Sequence, residues 1–128
     1  MRILVVDDRA DLRFSFMFML EAFGYDVAEA ADGGEALRYL DKQPVDVVLT
    51  DLHMPGLDGL DLIAHLARFG VRRPRVIAMT GSGRSAGLAG AKAAELLGAD
   101  RVLMKPFTKE QLVGLIEEVA APHSKMGV

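Results

Sequence analysis

Neither cysteine nor tryptophan occurs in this sequence. Without cysteine the chain has no disulfide, no thiol nucleophile and no thiolate metal site. Blocks of basic residues are also lacking, and the formal net charge is −3 over 128 residues, which suits a nucleic-acid backbone poorly. The composition therefore excludes thiol chemistry and disfavours direct binding of nucleic acid.

Long apolar runs are missing as well. No apolar segment approaches the roughly 18 consecutive residues that a membrane-spanning helix needs. The first apolar run begins at Ile3, directly after Met1 and Arg2, so we expect no signal peptide. We therefore expect a cytoplasmic protein with no membrane partner, and the length fits one domain with a sizeable core.

The chain does contain short apolar runs with helical segments between them. Because buried parallel strands are nearly continuous apolar runs, we interpret these runs as strands of a parallel sheet. The predicted strands are Ile3–Val6, Asp26–Glu29, Asp46–Thr50, Val76–Met79 and Arg101–Met104. The predicted helices are Ala10–Phe23, Gly33–Gln43, Gly59–Phe69, a fourth that ends near Leu97, and Thr108–Ala121. This order predicts an α/β fold, a doubly wound five-stranded parallel sheet flanked by five helices.

Polar side chains directly follow four of these strands. Asp7 and Asp8 follow the first, Asp51 the third, Thr80 the fourth and Lys105 the fifth. Because the carboxyl ends of parallel strands meet at one edge of an open α/β sheet, we expect these side chains to share a crevice. Close carboxylates repel each other unless a cation joins them, and oxygen ligands suit Mg²⁺. The pattern predicts a magnesium site at which an aspartate accepts a phosphoryl group.

The strand ends also form four separated motifs. They are Val5-Val6-Asp7-Asp8, Asp51 with Met54-Pro55-Gly56-Leu57-Asp58-Gly59, Thr80-Gly81, and Lys105-Pro106-Phe107. In this order they resemble the receiver domain of bacterial two-component response regulators. The resemblance spans Arg2 to about Ala121 and implies the flavodoxin-like receiver architecture, with residues 1–121 as the receiver domain and residues 122–128 as a short C-terminal tail. We expect a stand-alone receiver that serves as a phosphorelay intermediate, a phosphate sink or a diffusible regulator.

The resemblance implies Mg²⁺ as the cofactor and assigns its ligands. Asp8 and Asp51 would bind the metal directly, Asp7 would bind it through a water molecule, and the backbone carbonyl of His53 would complete the protein's share. The metal would lower the repulsion between an incoming phosphoryl group and the carboxylates.

The resemblance also assigns the phosphoryl chemistry. Asp51 would be the nucleophile and phosphoacceptor, Lys105 would pair with one phosphoryl oxygen, and the Thr80 hydroxyl would donate to another. The bond between Lys105 and Pro106 would be cis. The donor would be a phosphohistidine on a histidine kinase or histidine phosphotransfer protein. The chain would be an autocatalytic phosphoacceptor with slow self-dephosphorylation rather than a turnover enzyme.

Other interpretations of these residues remain open. Singly, Asp51 could cap a loop, Thr80 could cap the glycine-rich loop and Lys105-Pro106 could be an ordinary turn. The loop Thr80–Gly87 resembles a phosphate loop, so a nucleotide-binding domain is one alternative, although that loop would be expected after the first strand. An Mg²⁺-dependent aspartyl phosphatase of the α/β class is another, although its two acids would be one residue apart. A third is an interaction module that is never phosphorylated, and the complete acid set argues against it.

Two features depart from the family pattern. The position three residues before the lysine, usually aromatic, is Val102, which cannot provide an aromatic readout. Gly81, Gly83 and the glycines that follow give the start of helix four a low helix propensity. We expect this glycine-rich segment, rather than strand five, to respond to phosphorylation. Asp58 and Asp61 are expected to cap helix three.

Helix one contains an unusual number of large apolar side chains. Helical spacing is expected to turn part of them toward the sheet, namely Leu12, Phe16, Met19, Leu20 and Phe23. The outward residues are then Phe14, Met17 and Phe18. We expect this face, or the face of helix four, to contact the phosphohistidine donor, a downstream protein or a second copy in a homodimer. Cover by loops or by the C-terminal tail is the alternative.

Overall fold

The structure, a computed structural model, describes residues 1–81 and 84–120, with the backbone alone at residues 71–72 and 84–87. Gly83 and the predicted tail at 122–128 lie outside the described residues. The strands are β1 Arg2–Val6, β2 Asp26–Ala30, β3 Val47–Asp51, β4 Arg75–Thr80 and β5 Arg101–Met104. The helices are α1 Ala10–Ala22, α2 Gly33–Lys42, α3 Gly59–Leu66, α4 Arg84–Leu97 and α5 Lys109–Ala120, with a 3₁₀ helix at Ala67–Arg72.

All five strands pair in parallel in the order β2-β1-β3-β4-β5. The chain therefore winds outward in both directions from β1, and the strand order reverses between β1 and β3. Open α/β sheets form their binding crevice at this reversal, outside the carboxyl ends of the strands. The predicted doubly wound five-stranded sheet with five flanking helices is confirmed. No helix among the described residues is long and apolar enough to cross a membrane.

Two apolar layers bury the faces of the sheet. Helices α1 and α5 cover one face, where they pack on alternate strand residues such as Ile3 and Val5. Helices α2, α3 and α4 cover the other face, where Leu4 and Val6 point. Because β1 is buried on both faces, successive residues must all be apolar, which explains the unbroken run that predicted this strand.

Helices α1 and α3 end before the residues predicted for them, while the observed end of α2 and start of α5 differ from the prediction by one residue. Helix α1 ends at Ala22, and Gly24 at φ 91° reverses the chain just after it. Phe23 therefore lies in the turn and is 48% exposed, so the prediction that it faces the sheet was wrong. Helix α3 ends at Leu66, and the segment predicted to continue it to Phe69 is 3₁₀ helix.

The start of α3 is fixed close to the carboxyl end of β3. The Asp58 side chain accepts from the Asp61 backbone N–H, and the Asp61 side chain accepts from that of Asp58, which confirms their predicted capping role. Gly59 packs directly on this strand end, since a Cβ at that position would collide with the backbone oxygen of Asp51. Only glycine allows this approach, so the residue holds the loop after Asp51 against the sheet.

Candidate functional site

Three carboxylates meet at the carboxyl edge of the sheet. Asp7 and Asp8 follow β1, and Asp51 ends the neighbouring strand β3. Each residue offers one carboxylate oxygen, and these oxygens all lie within 4.8 Å of one another. Asp7 is fully buried, Asp51 is 8% exposed, and Asp8 faces the solvent. The cluster is therefore buried on the side of Asp7 and open to solvent on the side of Asp8.

Asp7 forms the floor of the cluster. Its Oδ1 accepts a hydrogen bond from the Arg9 backbone N–H at 2.9 Å. Its Oδ2 is buried and has no partner among the described residues. Burial raises the pKa of Asp7, and the neighbouring Asp51 and Asp8 raise this pKa further. A buried carboxylate oxygen without a donor, beside two other acids, fits a small divalent cation with oxygen ligands.

Asp51 lies between this cluster and a lysine. Its Oδ2 is 3.4 Å from the Lys105 Nζ, and its Oδ1 is 3.4 Å from the His53 backbone nitrogen. The second contact keeps the main chain of His53 beside the cluster, while the His53 side chain is exposed. The Thr50 hydroxyl donates to the backbone oxygen of Asp51 at 2.8 Å, which steadies the strand end.

Thr80 and Lys105 complete the edge. Thr80 ends β4 and is fully buried, and its hydroxyl oxygen has no hydrogen-bond partner within 1–81 and 84–120. The Lys105 backbone N–H donates to the Thr80 carbonyl at 2.9 Å, so the two residues are joined through the main chain. The peptide bond between Lys105 and Pro106 is cis. All the polar residues expected at this edge are thus brought together.

The residues expected to respond to phosphorylation lie on β5, just after Thr80 and at the start of α4. Val102 is half-buried in β5 and packs on the α2–α3–α4 layer. Gly81 directly follows Thr80. Gly90 of α4 is buried against Thr80: a Cβ added there would lie 3.4 Å from the Thr80 hydroxyl oxygen. Sequence reasoning did not single out this contact between α4 and the site.

Helix α1 begins immediately beside the acids. Phe14 and Phe18 are 70% and 72% exposed, as expected for outward positions, and Met17 is half-buried. One residue of α1 was missed. Arg13 turns inward, where its side chain donates to the Asp7 carbonyl and to Glu29 at the end of β2. A lone arginine on a helix is typical of a solvated face, so no pattern in the sequence indicated this contact.

The response regulator receiver domain model matches residues 3–117, and the chain belongs to this family. It is 36% identical over 132 residues to the phosphate regulon transcriptional regulatory protein PhoB of Escherichia coli, covering 99% of this chain and 55% of PhoB. It is 35% identical over 116 residues to the transcriptional regulatory protein PrrA of Mycobacterium tuberculosis, covering 91% of this chain and 48% of PrrA. The chain spans about half the length of these curated relatives.

Solved structures show the same domain. A crystal structure of a response regulator receiver domain protein from Clostridium thermocellum superimposes with a TM-score of 0.86 at 32% identity. The match covers 99% of this chain and 98% of that one. The predicted family and fold are confirmed, and the chain is a receiver domain of two-component response regulators. The comparisons do not favour the nucleotide-binding or aspartyl phosphatase alternatives.

Proposed function

We propose that Asp51 accepts a phosphoryl group from a phosphohistidine of a histidine kinase or histidine phosphotransfer protein. The observation that supports this most directly is the position of the Asp51 carboxylate, which borders two other acids on one side and an ammonium group on the other. An Asp51 oxygen forms a bond to phosphorus, the bond from phosphorus to the imidazole nitrogen breaks, and an acyl phosphate results. The reaction is a single transfer onto the protein, followed by slow hydrolysis, rather than turnover of a substrate.

The acid cluster would hold Mg²⁺. Asp8 and Asp51 would bind it directly, Asp7 would bind it through water, and the His53 backbone carbonyl would complete the set. When bound, the metal offsets the repulsion between the carboxylates and the incoming phosphoryl oxygens. The Asp7 Oδ2, which is buried without a partner in the described part of the chain, supports this assignment, because a buried carboxylate oxygen costs stability unless something satisfies it.

Lys105 and Thr80 would bind the transferred group. Phosphorylation places about −1.5 to −2 charges and new acceptor oxygens on Asp51. Lys105 already lies next to this carboxylate, so a small movement of its ammonium group allows it to pair with a phosphoryl oxygen. The buried Thr80 hydroxyl, which has no hydrogen-bond partner among the described residues, would donate to another oxygen.

The signal would pass from Thr80 toward α4. A shift of the Thr80 side chain changes its contact with Gly90, and the glycine-rich segment between them is the element we expect to rearrange. Val102 has no ring to follow this movement, so β5 is expected to change little. The outer faces of α1 and α4 are the surfaces proposed for the donor, a downstream protein or a second copy, in a cytoplasmic setting.

The proposal is tested by incubating the protein with Mg²⁺ and a small acyl phosphate, or with beryllofluoride, against a matched sample in a chelator. We expect covalent phosphate, or a beryllofluoride-dependent change in the spectra of residues near Asp51, only when Mg²⁺ is present. Binding of a nucleotide without any phosphorylation would instead support the nucleotide-binding alternative.

A further inference from the structure

Arg13 joins three elements next to the acid cluster. From α1, its Nη1 donates to the Asp7 backbone oxygen at 2.7 Å, and its Nε donates to Glu29 Oε1 at 2.7 Å. Its side chain is 17% exposed, against 50% for that of Glu29. The guanidinium thus lies under the surface with both contacts at good geometry, unlike a solvated surface pair.

The carbonyl that Arg13 holds belongs to the peptide between two acids of the cluster, Asp7 and Asp8. The Asp7 backbone N–H donates to the Ala30 oxygen at 3.1 Å, and Asp7 Oδ1 accepts from Arg9. Arg13 is the one side chain in the described part of the chain that holds this peptide by its carbonyl. The hydrogen bond from Arg13 therefore fixes the orientation of the Asp7–Asp8 peptide plane, and with it the direction in which the Asp8 side chain leaves the backbone.

We propose that Arg13 is a positioning residue of the metal site, and that its hydrogen bond to the Asp7 carbonyl sets the geometry of the two neighbouring acids for a divalent cation. This inference rests on the proposed function, because it concerns the same Mg²⁺ site. Among the described residues, the Arg13 side chain has no hydrogen bond to a carboxylate of the cluster, so it acts through the backbone.

Charge and geometry make opposite predictions for this residue. A positive charge beside a cation site opposes metal binding, so removing it would tighten binding if charge were the main effect. Glu29 already compensates that charge at 2.7 Å, which leaves the orientation of the peptide as the main contribution of Arg13. Loss of the side chain is therefore expected to weaken metal binding.

The chain provides a matched control at the other end of the sheet. Arg101 likewise donates to a backbone oxygen, that of Asp100, and to a glutamate, Glu118. It lies at the amino end of β5, away from the acids. Arg13→Met and Arg101→Met each remove one hydrogen bond to a backbone oxygen and one to a glutamate. Arg13→Met does so beside the acid cluster, and Arg101→Met does so far from it.

The test is calorimetric titration of the full chain with MgCl₂, with urea unfolding as the check on folding. We expect the Mg²⁺ dissociation constant to rise roughly 10-fold in Arg13→Met, as for other residues that orient metal ligands, and to stay unchanged in Arg101→Met. In phosphorylation by acetyl phosphate, the Mg²⁺ concentration for half-maximal rate should rise in step. The maximal rate at saturating Mg²⁺ should stay close to that of the wild type.

Unchanged or tighter Mg²⁺ binding in Arg13→Met, or equal weakening in both variants, would overturn the inference. If Arg13→Met does not fold, Arg13→Lys is the deciding variant, because it keeps the positive charge but loses the planar pair of guanidinium donors. Weaker Mg²⁺ binding in Arg13→Lys supports a positioning role, and wild-type Mg²⁺ binding overturns the inference. A wild-type protein that binds no Mg²⁺ would overturn the proposed function and this inference together. If the wild type binds Mg²⁺ and the Arg13 variants bind it with the same dissociation constant, the inference alone is overturned.

Discussion

The Lys105 ammonium lies 3.4 Å from the Asp51 carboxylate, although β4 lies between β3, which Asp51 ends, and β5, which Lys105 follows. Three carboxylates and this single ammonium leave a formal charge of −2 at the edge of the sheet. A divalent cation would neutralise that remainder, and a phosphoryl group would then give Lys105 a new partner. The same lysine is thus placed to stabilise the site before and after phosphorylation.

Removal of the acids one at a time should separate their roles in metal binding. We expect Asp8→Ala to weaken Mg²⁺ binding by about 10-fold or more, and by more than Asp7→Ala does, because a direct ligand is lost rather than one acting through water. Calorimetric titration measures both constants, and Asp11→Ala, an exposed acid in the first turn of α1, serves as the control. Equal affinities for the Asp7 and Asp8 variants would mean that the direct and indirect roles are wrongly assigned.

The buried acid should also affect stability through pH. Because the pKa of Asp7 is raised in the folded protein, the folded state holds that proton more tightly than the unfolded state. This contribution to stability is present below the ordinary pKa of 3.8 and is lost as the pH rises through the raised value. Without metal, Asp7→Asn should therefore be more stable than the wild type at neutral pH, and the advantage should shrink toward pH 4 or so.

Urea unfolding in a chelator across this pH range measures the effect. Asp41→Asn, at an exposed position of α2, is the control and should show no such trend. An Asp7→Asn protein that is less stable than the wild type at neutral pH would show that the Asp7 charge is stabilised rather than penalised by its surroundings.

The outer face of α1 should behave as a docking surface. Phe14 and Phe18 are 70% and 72% exposed, and burial of one such ring contributes about 1.5–3 kcal/mol. Phe14→Glu or Phe18→Lys is expected to slow phosphotransfer from the cognate donor by about 10-fold or more, or to abolish dimerisation. Phosphorylation by acetyl phosphate should be unaffected, since the face begins beside the acids without contributing to them.

Phe69→Glu is the matched control for that experiment. Phe69 is 38% exposed in the 3₁₀ helix, near the amino ends of the strands. The Phe69→Glu variant should leave the rate of phosphotransfer from the cognate donor unchanged. Folded Phe14 and Phe18 variants with wild-type oligomeric state and wild-type transfer rates would show that the face is not an interface.

Phosphorylation should change hydrogen exchange between Gly81 and Gly90. The close contact of Gly90 with Thr80 joins α4 to the residue that we expect to move. We expect the largest change in protection in this segment, and little change at Val102. If exchange changes mainly along β5 and not in this segment, the proposed route of the signal is wrong.

The sequence predicted the sheet and its polar edge because both follow from local patterns. Strands buried on two faces must be largely unbroken apolar runs, and the acids that follow such runs then fall at the carboxyl edge, as Asp7 and Asp51 do. Phe23 was placed wrongly because helical spacing does not show where a helix ends. Gly24 turns the chain one residue after Phe23, so the ring lies beyond the buried face.

Contacts between distant elements were the part that the sequence did not reveal. Arg13 reaches Glu29 only because β2 pairs beside β1. The approach of Gly90 to Thr80 likewise depends on how α4 packs over β4. Neither contact has a fixed spacing along the chain, so each needed the folded arrangement to become visible.

The most direct test of the account is to locate the phosphoryl group. Three proteins are incubated with Mg²⁺ and acetyl phosphate, and their phosphorylation sites are mapped by mass spectrometry: the wild type, Asp51→Asn and the control Asp58→Asn. The control keeps a capping side chain on α3. We predict acid-labile phosphate on Asp51 in the wild type and the control, and none on Asp51→Asn, whose fold and metal-free stability should hold or improve as repulsion is relieved. Stoichiometric acid-labile phosphate on the Asp51→Asn protein would contradict the assignment.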